Sequence, residues 1–263
     1  MTAGLDRSAA VAATSAAAAA LATDVEGHLG LPEPASRSVE RVTDSASGLA
    51  VDEVTDLDAG GTPIAISRFD LAGRLVSLVR LGFVAPTGST ISAAGALGRA
   101  AAILATLGAG VQGVPAVTPR AAGGWLARWV RLAGTVPVPG DGIGIQLAAD
   151  GSFRAIVRTE HRLAPAPAVP IGAARARFLA ERRLDAWFGP GVRPDAVVTS
   201  LALAWVAPND TFGDAVPAVS PGELRLAWIV RVATSGSLAD HVAGIELAFD
   251  AGDGSALGGE LLE

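Results

Sequence analysis

The sequence predicts an α+β protein made of three repeated units, each a helix followed by antiparallel sheet. Two observations carry that prediction. The stretch GIQLAAD at residues 144–150 returns nearly unchanged as GIELAFD at residues 244–250. Each copy alternates side chains as a half-buried strand does. Each then enters a turn, Asp150-Gly151 in one and Asp250 to Gly254 in the other, with the residue types that supply positive φ in hairpins. The second observation is a third copy, because IAISRFDLAGRLVSLVR at residues 64–80 aligns with IGIQLAADGSFRAIVR at residues 143–158. Gly73, Leu75, Ser77, Leu78, Val79 and Arg80 lie 78 positions before Gly151, Phe153, Ala155, Ile156, Val157 and Arg158, with no slip.

The elements follow in order. Residues 7–28 are Ala-rich, and Ala is the best helix former; Gly27 or Gly30 and the Pro32, Pro34 pair end this helix. The same run resembles a secretory signal with Ala20-Leu21-Ala22 as a cleavage site. Its apolar part is nearly all Ala, short of the Leu and Val of a signal core, so an ordinary helix is the better reading. Strands at 48–54, 63–69 and 74–83 complete a first unit, residues 1–86. A second unit, 87–165, opens with a helix at 90–108 and continues with strands at 125–132, 135–138, 143–149 and 152–159. The third, 166–263, has a helix at 171–188. There Ala174, Phe178, Leu179 and Trp187 recur at helical spacing, and Arg175, Arg182, Arg183 and Asp185 lie elsewhere around the wheel. Its strands fall at 197–206, 223–233 and 242–249, with a short one near Ala256. Units of roughly 80 residues hold a small core, marginal enough that neighbours are expected to pack together.

Composition narrows the function. Half of the 263 residues are hydrophobic, with Ala and Gly prominent, so the five Trp and seven Phe are expected to fill much of the core. A formal net charge of -6 argues against nucleic acid as a partner. The absence of Cys excludes disulfides, thiol nucleophiles and thiolate metal sites. No run reaches the roughly 18 apolar residues of a membrane-spanning helix, so the chain is expected to be soluble and not transmembrane.

Catalytic motifs are weak. The Gly-x-Gly-x-x-Gly match at residues 108–113 follows a helix, whereas a dinucleotide fingerprint follows a strand and opens a helix; it reads as a helix stop. His28, His161 and His241 are scattered, with no His-Glu-x-x-His pair for zinc. Glu160 and His161 read as a solvated charge pair. The loop holding Asp250 and Asp253 lacks the alternate Asp and distant Glu of a calcium loop and reads as a turn. No Gly-x-Ser-x-Gly elbow is present, and Ser235-Gly236-Ser237 falls in a loop. No catalytic residue, cofactor or metal ligand is nominated. The candidate working surface combines open sheet edges with the strand carrying Trp125, Arg128, Trp129 and Arg131, since Trp and Arg anchor protein interfaces. Against that, Trp125 and Trp129 share one strand face and would also pack beneath a helix.

A family resemblance enters through two segments. WLARWVRLAGTVPVPGDGIGIQLAADGSFRAI, residues 125–156, resembles the propeptide module that precedes fungalysin- and thermolysin-type metallopeptidases. That module has an aromatic-rich strand, a G-x-P-V-x-G turn and a strand closing on D-G. LRLAWIVRV at 224–232 with IELAFDAGDGSAL at 245–257 is similar to the PepSY module that follows it. Asp253 stands where the family usually has Thr, and the aromatic-Gln pairing after the first strand is missing. From its first to its last matching residue, 125 to 257, the resemblance spans about half the chain. It implies a cystatin-like or PepSY-like fold in tandem modules and a location outside the cytoplasm. It further implies a non-enzymatic role, inhibiting or chaperoning a peptidase or binding an envelope protein. Two other readings stand beside it, a small-ligand carrier or enzyme with a pocket between sheet and helix, and a structural subunit of a larger complex.

Overall fold

The computed structural model describes residues 3–44, 48–84, 90–110, 115–121, 123–168, 170–213 and 223–262, with the backbone alone for residues 3–14. The fold is α+β, with mostly antiparallel sheets and few helices. Helix α1 (Ala3–Leu29) leads into β1 (Ser36–Thr43), β2 (Ala50–Leu57), β3 (Pro63–Asp70) and β4 (Leu75–Arg80). Helix α2 (Ala93–Thr106) leads into β5 (Pro115–Pro119), β6 (Trp125–Ala133), β7 (Val136–Leu147) and β8 (Phe153–Thr159). After the short β9 (Arg162–Leu163), helix α3 (Ala173–Trp187) precedes β10 (Ala196–Val206) and β11 (Glu223–Thr234). One-turn α4 (Gly236–Ala239), β12 (Gly244–Asp250) and β13 (Ala256–Leu262) follow.

The chain divides into two compact units, Met1–Arg131 with Gly140–Glu160, and Leu132–Pro139 with His161–Glu263. An eight-stranded sheet runs in the order β1-β2-β3-β4-β8-β7-β6-β5, so strands following α1 and strands following α2 share one sheet through antiparallel β4 and β8. The other sheet runs β10-β11-β12-β13, with β9 parallel to β11.

Each helix lays small residues on its sheet. In α1, Ala18 and Ala22 are buried against Val54 and Phe69. In α2, Ala96, Ala100 and Leu104 are buried with Leu78, Trp129, Ile145 and Leu147. In α3, Ala176, Ala180 and Leu184 are buried with Val230, Val232, Ile245 and Leu247. Four-residue spacing keeps these positions on one helix face. Each buried Leu contributes about 1.5–3 kcal/mol. The third position of this stripe in α1 is Glu26, only 4% exposed. Ala96, Ala100 and Leu104 lie 78 positions after Ala18, Ala22 and Glu26, the same offset that separates Gly151 from Gly73.

Each of the repeated hairpins carries an aspartate that accepts the amide two residues on, placed three, one or four positions before the turn glycine. Asp70 accepts hydrogen bonds on Oδ1 from the amides of Ala72 (3.0 Å) and Arg74 (2.8 Å). Asp150 accepts from Ser152 N (3.0 Å) and Asp250 from Gly252 N (2.7 Å). Such side-chain-to-backbone bonds stabilise tight turns. Gly73, Gly151 and Gly254 adopt φ of 78°, 86° and 80°. A Cβ there would meet a methyl of Leu21, Ile91 and Leu179, at 3.3, 2.9 and 2.7 Å respectively. Leu21 and Leu179 sit on α1 and α3, and Ile91 just precedes α2. Glycine thus serves both the left-handed turn and the close seat beneath the helix.

Several expectations are revised. Strands 135–138 and 143–149 are one strand, β7, because Gly140 and Gly142 absorb the kink at positive φ and pairing continues. β1 and β5 were not expected. The final strand reaches Leu262. On α3, Ala174 is exposed, Phe178 is 46% exposed and Trp187 is 37% exposed, so the expected apolar face is not the buried one. The Ala176-Ala180-Leu184 stripe wins because small side chains let the helix approach the sheet. Phe178 instead lies under Arg175 and Arg182, and Trp187 under Arg183. The Gly-x-Gly-x-x-Gly segment ends α2 at Gly108, φ 62°, and the next element is strand β5. Val111 to Gly113 lie outside the described residues.

Candidate functional site

The nominated strand β6 does not present its four residues together. Trp129 is 5% exposed and belongs to the core under α2, and Trp125 is half-buried against the same cluster. Arg131 donates to Asp141, which is fully buried, across 3.0 Å. Strand alternation puts Arg128 on the opposite face, with Leu126 and Val130. β6 is flanked by β5 and β7, so it is not a sheet edge. Glu160 pairs with Arg74 (3.4 Å), Arg131 (3.8 Å) and Arg158 (4.0 Å).

A second constellation lies within the same compact unit, where α1 meets β1, β2 and β3. Glu26 projects from the buried stripe of α1. Arg37 and Asp56, opposite each other in the β1–β2 register, point to the same side. Arg37 donates through Nε to Asp56 (2.7 Å), and through its terminal nitrogens to Glu26 and Thr23. Ser67 Oγ donates to Glu26 at 3.4 Å. Asp56 is 2% exposed. Burial, reinforced by the neighbouring Asp56 carboxyl, pushes the Glu26 carboxyl up to about 7 against the pull of Arg37. One guanidinium therefore serves two buried carboxyls, one of which holds its proton near neutrality.

Asp56 also lines a cavity of about 430 Å³ whose other walls are Leu31, Pro32, Ile64, Ala65 and residues 80–84. Arg80 stacks on Phe83, 4.4 Å from the ring centre, and donates to the carbonyl of Phe153 at 3.2 Å. Burial draws the Arg80 guanidinium below its usual value. In the other compact unit, a cavity of about 280 Å³ is lined by Pro165, Pro167, Arg225, Asp250 and Asp253. Its charges are committed internally, since Arg225 pairs with Asp250 at 3.3 Å and Asp253 accepts the Ser255 amide at 2.8 Å. Those bonds, with Arg225 nearby, hold Asp253 below the usual carboxylate range.

Sequence reasoning missed the Glu26–Arg37–Asp56 group. The available signal was an acid at the third position of an Ala-x-x-x-Ala-x-x-x stripe, where α2 and α3 carry Leu104 and Leu184. No group of three or more His, Cys, Asp and Glu placed to hold a metal occurs among the described residues. No helix among the described residues is long and apolar enough to cross a membrane.

No family model matches the sequence, and no curated protein does. The chain is structurally similar to the C-terminal domain of Bacillus megaterium YpeB, with a TM-score of 0.51 and 12% identity, over 93% of this chain and 96% of that one. YpeB is a PepSY-containing protein, so the likeness supports a PepSY-like fold.

Proposed function

We propose that this chain is a non-catalytic, PepSY-like protein-binding module that inhibits or chaperones a peptidase or binds another envelope protein. The observation that carries the reading is the fold shared with the YpeB domain over nearly the whole length. The sequence resemblance of residues 125–156 and 224–257 to peptidase propeptides points the same way. Within this proposal the chain is three successive units, helix first and strands after. The common 78-residue offset of helix stripes and hairpin glycines in the first two supports that. So does an aspartate in each of the three hairpins that accepts the amide two residues on, although it stands three, one and four positions before the turn glycine. An extracytoplasmic setting is part of the same proposal. The contact surface is proposed to include Arg128, on the face of β6 that carries no tryptophan, while Trp125, Trp129 and Arg131 support the strand from the other side.

The test is titration of the purified chain into a thermolysin-type metallopeptidase during peptide hydrolysis. Saturable inhibition supports the proposal. Unchanged hydrolysis, together with turnover of a small molecule by the chain alone, overturns it. A second reading, a small-ligand carrier or enzyme, draws on the cavity that Asp56 and Arg80 line with Leu31 and Pro32, the residues just after α1.

A further inference from the structure

The geometry points to a binding site for an organic carboxylate with an apolar body in the cavity walled by Leu31, Ile64, Ala65, Leu81 and Phe83, with Arg80 receiving the anion. The first ground is an uncompensated cation. Arg37, Arg41, Arg68, Arg74, Arg131 and Arg158 in the same compact unit each have a carboxylate within 4.0 Å. Arg80 is half-buried, yet among the described residues its one hydrogen bond is to the Phe153 carbonyl. The sequence repeat sharpens the contrast, because Arg158 lies 78 positions on and has Glu160 beside it. A guanidinium removed from water without an anion is unfavourable, and its fork matches a carboxylate.

The second ground is the shape and lining of the space. At about 430 Å³ it falls within the roughly 300–1,000 Å³ of small-molecule sites. Its walls are mainly apolar, and Phe83 holds the Arg80 guanidinium over its ring at 4.4 Å, fixing the fork before a ligand arrives. Arg154 lies 5.8 Å from the same ring, adding positive charge near the anion's end. Asp56, the acid in the wall, is already paired with Arg37 at 2.7 Å. The chemistry fits either a free alkyl or aryl acid or the C-terminal carboxylate of a peptide with an apolar last residue.

The experiment is calorimetric titration of the whole chain with N-acetylphenylalanine, its carboxamide and hexanoate. The acids are expected to bind, and the carboxamide to bind roughly tenfold or more weakly, the size of a lost charge-assisted hydrogen bond. Arg80→Met, which keeps the apolar stem, should weaken the acids by a similar factor, with its melting temperature checked against the parent. Leu81→Trp, which fills the space and spares Arg80, should weaken them as well. Preference for N-acetylphenylalanine over hexanoate identifies a peptide terminus as the source, and the reverse a free acid. Equal binding of acid and carboxamide, undiminished binding by Arg80→Met, or no binding by either acid overturns the assignment.

Discussion

Replacing Glu26 by Gln removes a titration that the fold has displaced. The carboxyl is 4% exposed, and burial together with Asp56 raises it from 4.5 to about 7. At about 1.4 kcal/mol per pH unit, ionising Glu26 in the folded state costs on the order of 3 kcal/mol relative to the unfolded chain. The sign follows from proton binding. Between 4.5 and about 7 the folded state holds the proton that the unfolded chain has released, so stability from this group is complete below 4.5 and is lost as pH rises through about 7. Glu26→Gln stays neutral throughout and keeps polar contact with Arg37. Urea unfolding followed by tryptophan fluorescence, from pH 4 to pH 8, should show the variant near the parent at the acid end. It should become more stable than the parent by roughly 2–3 kcal/mol at the alkaline end. Histidines and other carboxylates titrate in both proteins and cancel in the difference. Parallel curves, or a variant that loses stability as pH rises, would refute the burial-driven cause.

Four further substitutions have defined outcomes. Gly151→Ala places a Cβ 2.9 Å from Ile91 Cδ1 at φ 86°, and thermal unfolding should report a loss of about 1–3 kcal/mol. Gly134→Ala, also at positive φ but with open space around it, should lose less in the same assay. Trp129→Ala should cost about 3–5 kcal/mol in chemical denaturation because the ring is core. Arg128→Glu should change stability by no more than about 0.5 kcal/mol while weakening any partner complex, read by calorimetry.

The sequence disclosed the hairpins because their turns are written in Asp and Gly and their strands alternate cleanly. Helices α2 and α3 were legible from their length and flanking breakers. β1 escaped notice because Val39 and Val42 are its only apolar residues, and half-buried Arg37 and exposed Arg41 pair with Asp56 and Asp52 instead of entering an apolar core. β5 carries Pro at both ends, which argues against a strand everywhere except at a sheet edge, where it lies. The buried face of α3 was misjudged because Phe178 and Trp187 outweigh Ala176 and Ala180 in hydrophobicity, while close approach to a sheet rewards small volume. The Glu26 group joins residues separated by 11 and 19 positions through a helix packing on a hairpin, and no local pattern encodes that approach.

Binding rather than chemistry is the core of this account. Sedimentation of the chain with a purified thermolysin-type metallopeptidase, inactivated at its metal so that cleavage plays no part, measures it most directly. A single heavier species at micromolar concentration, lost with Arg128→Glu and retained with Arg80→Met, is the expected result. Two independently sedimenting proteins, together with catalytic turnover by the chain itself, would contradict it.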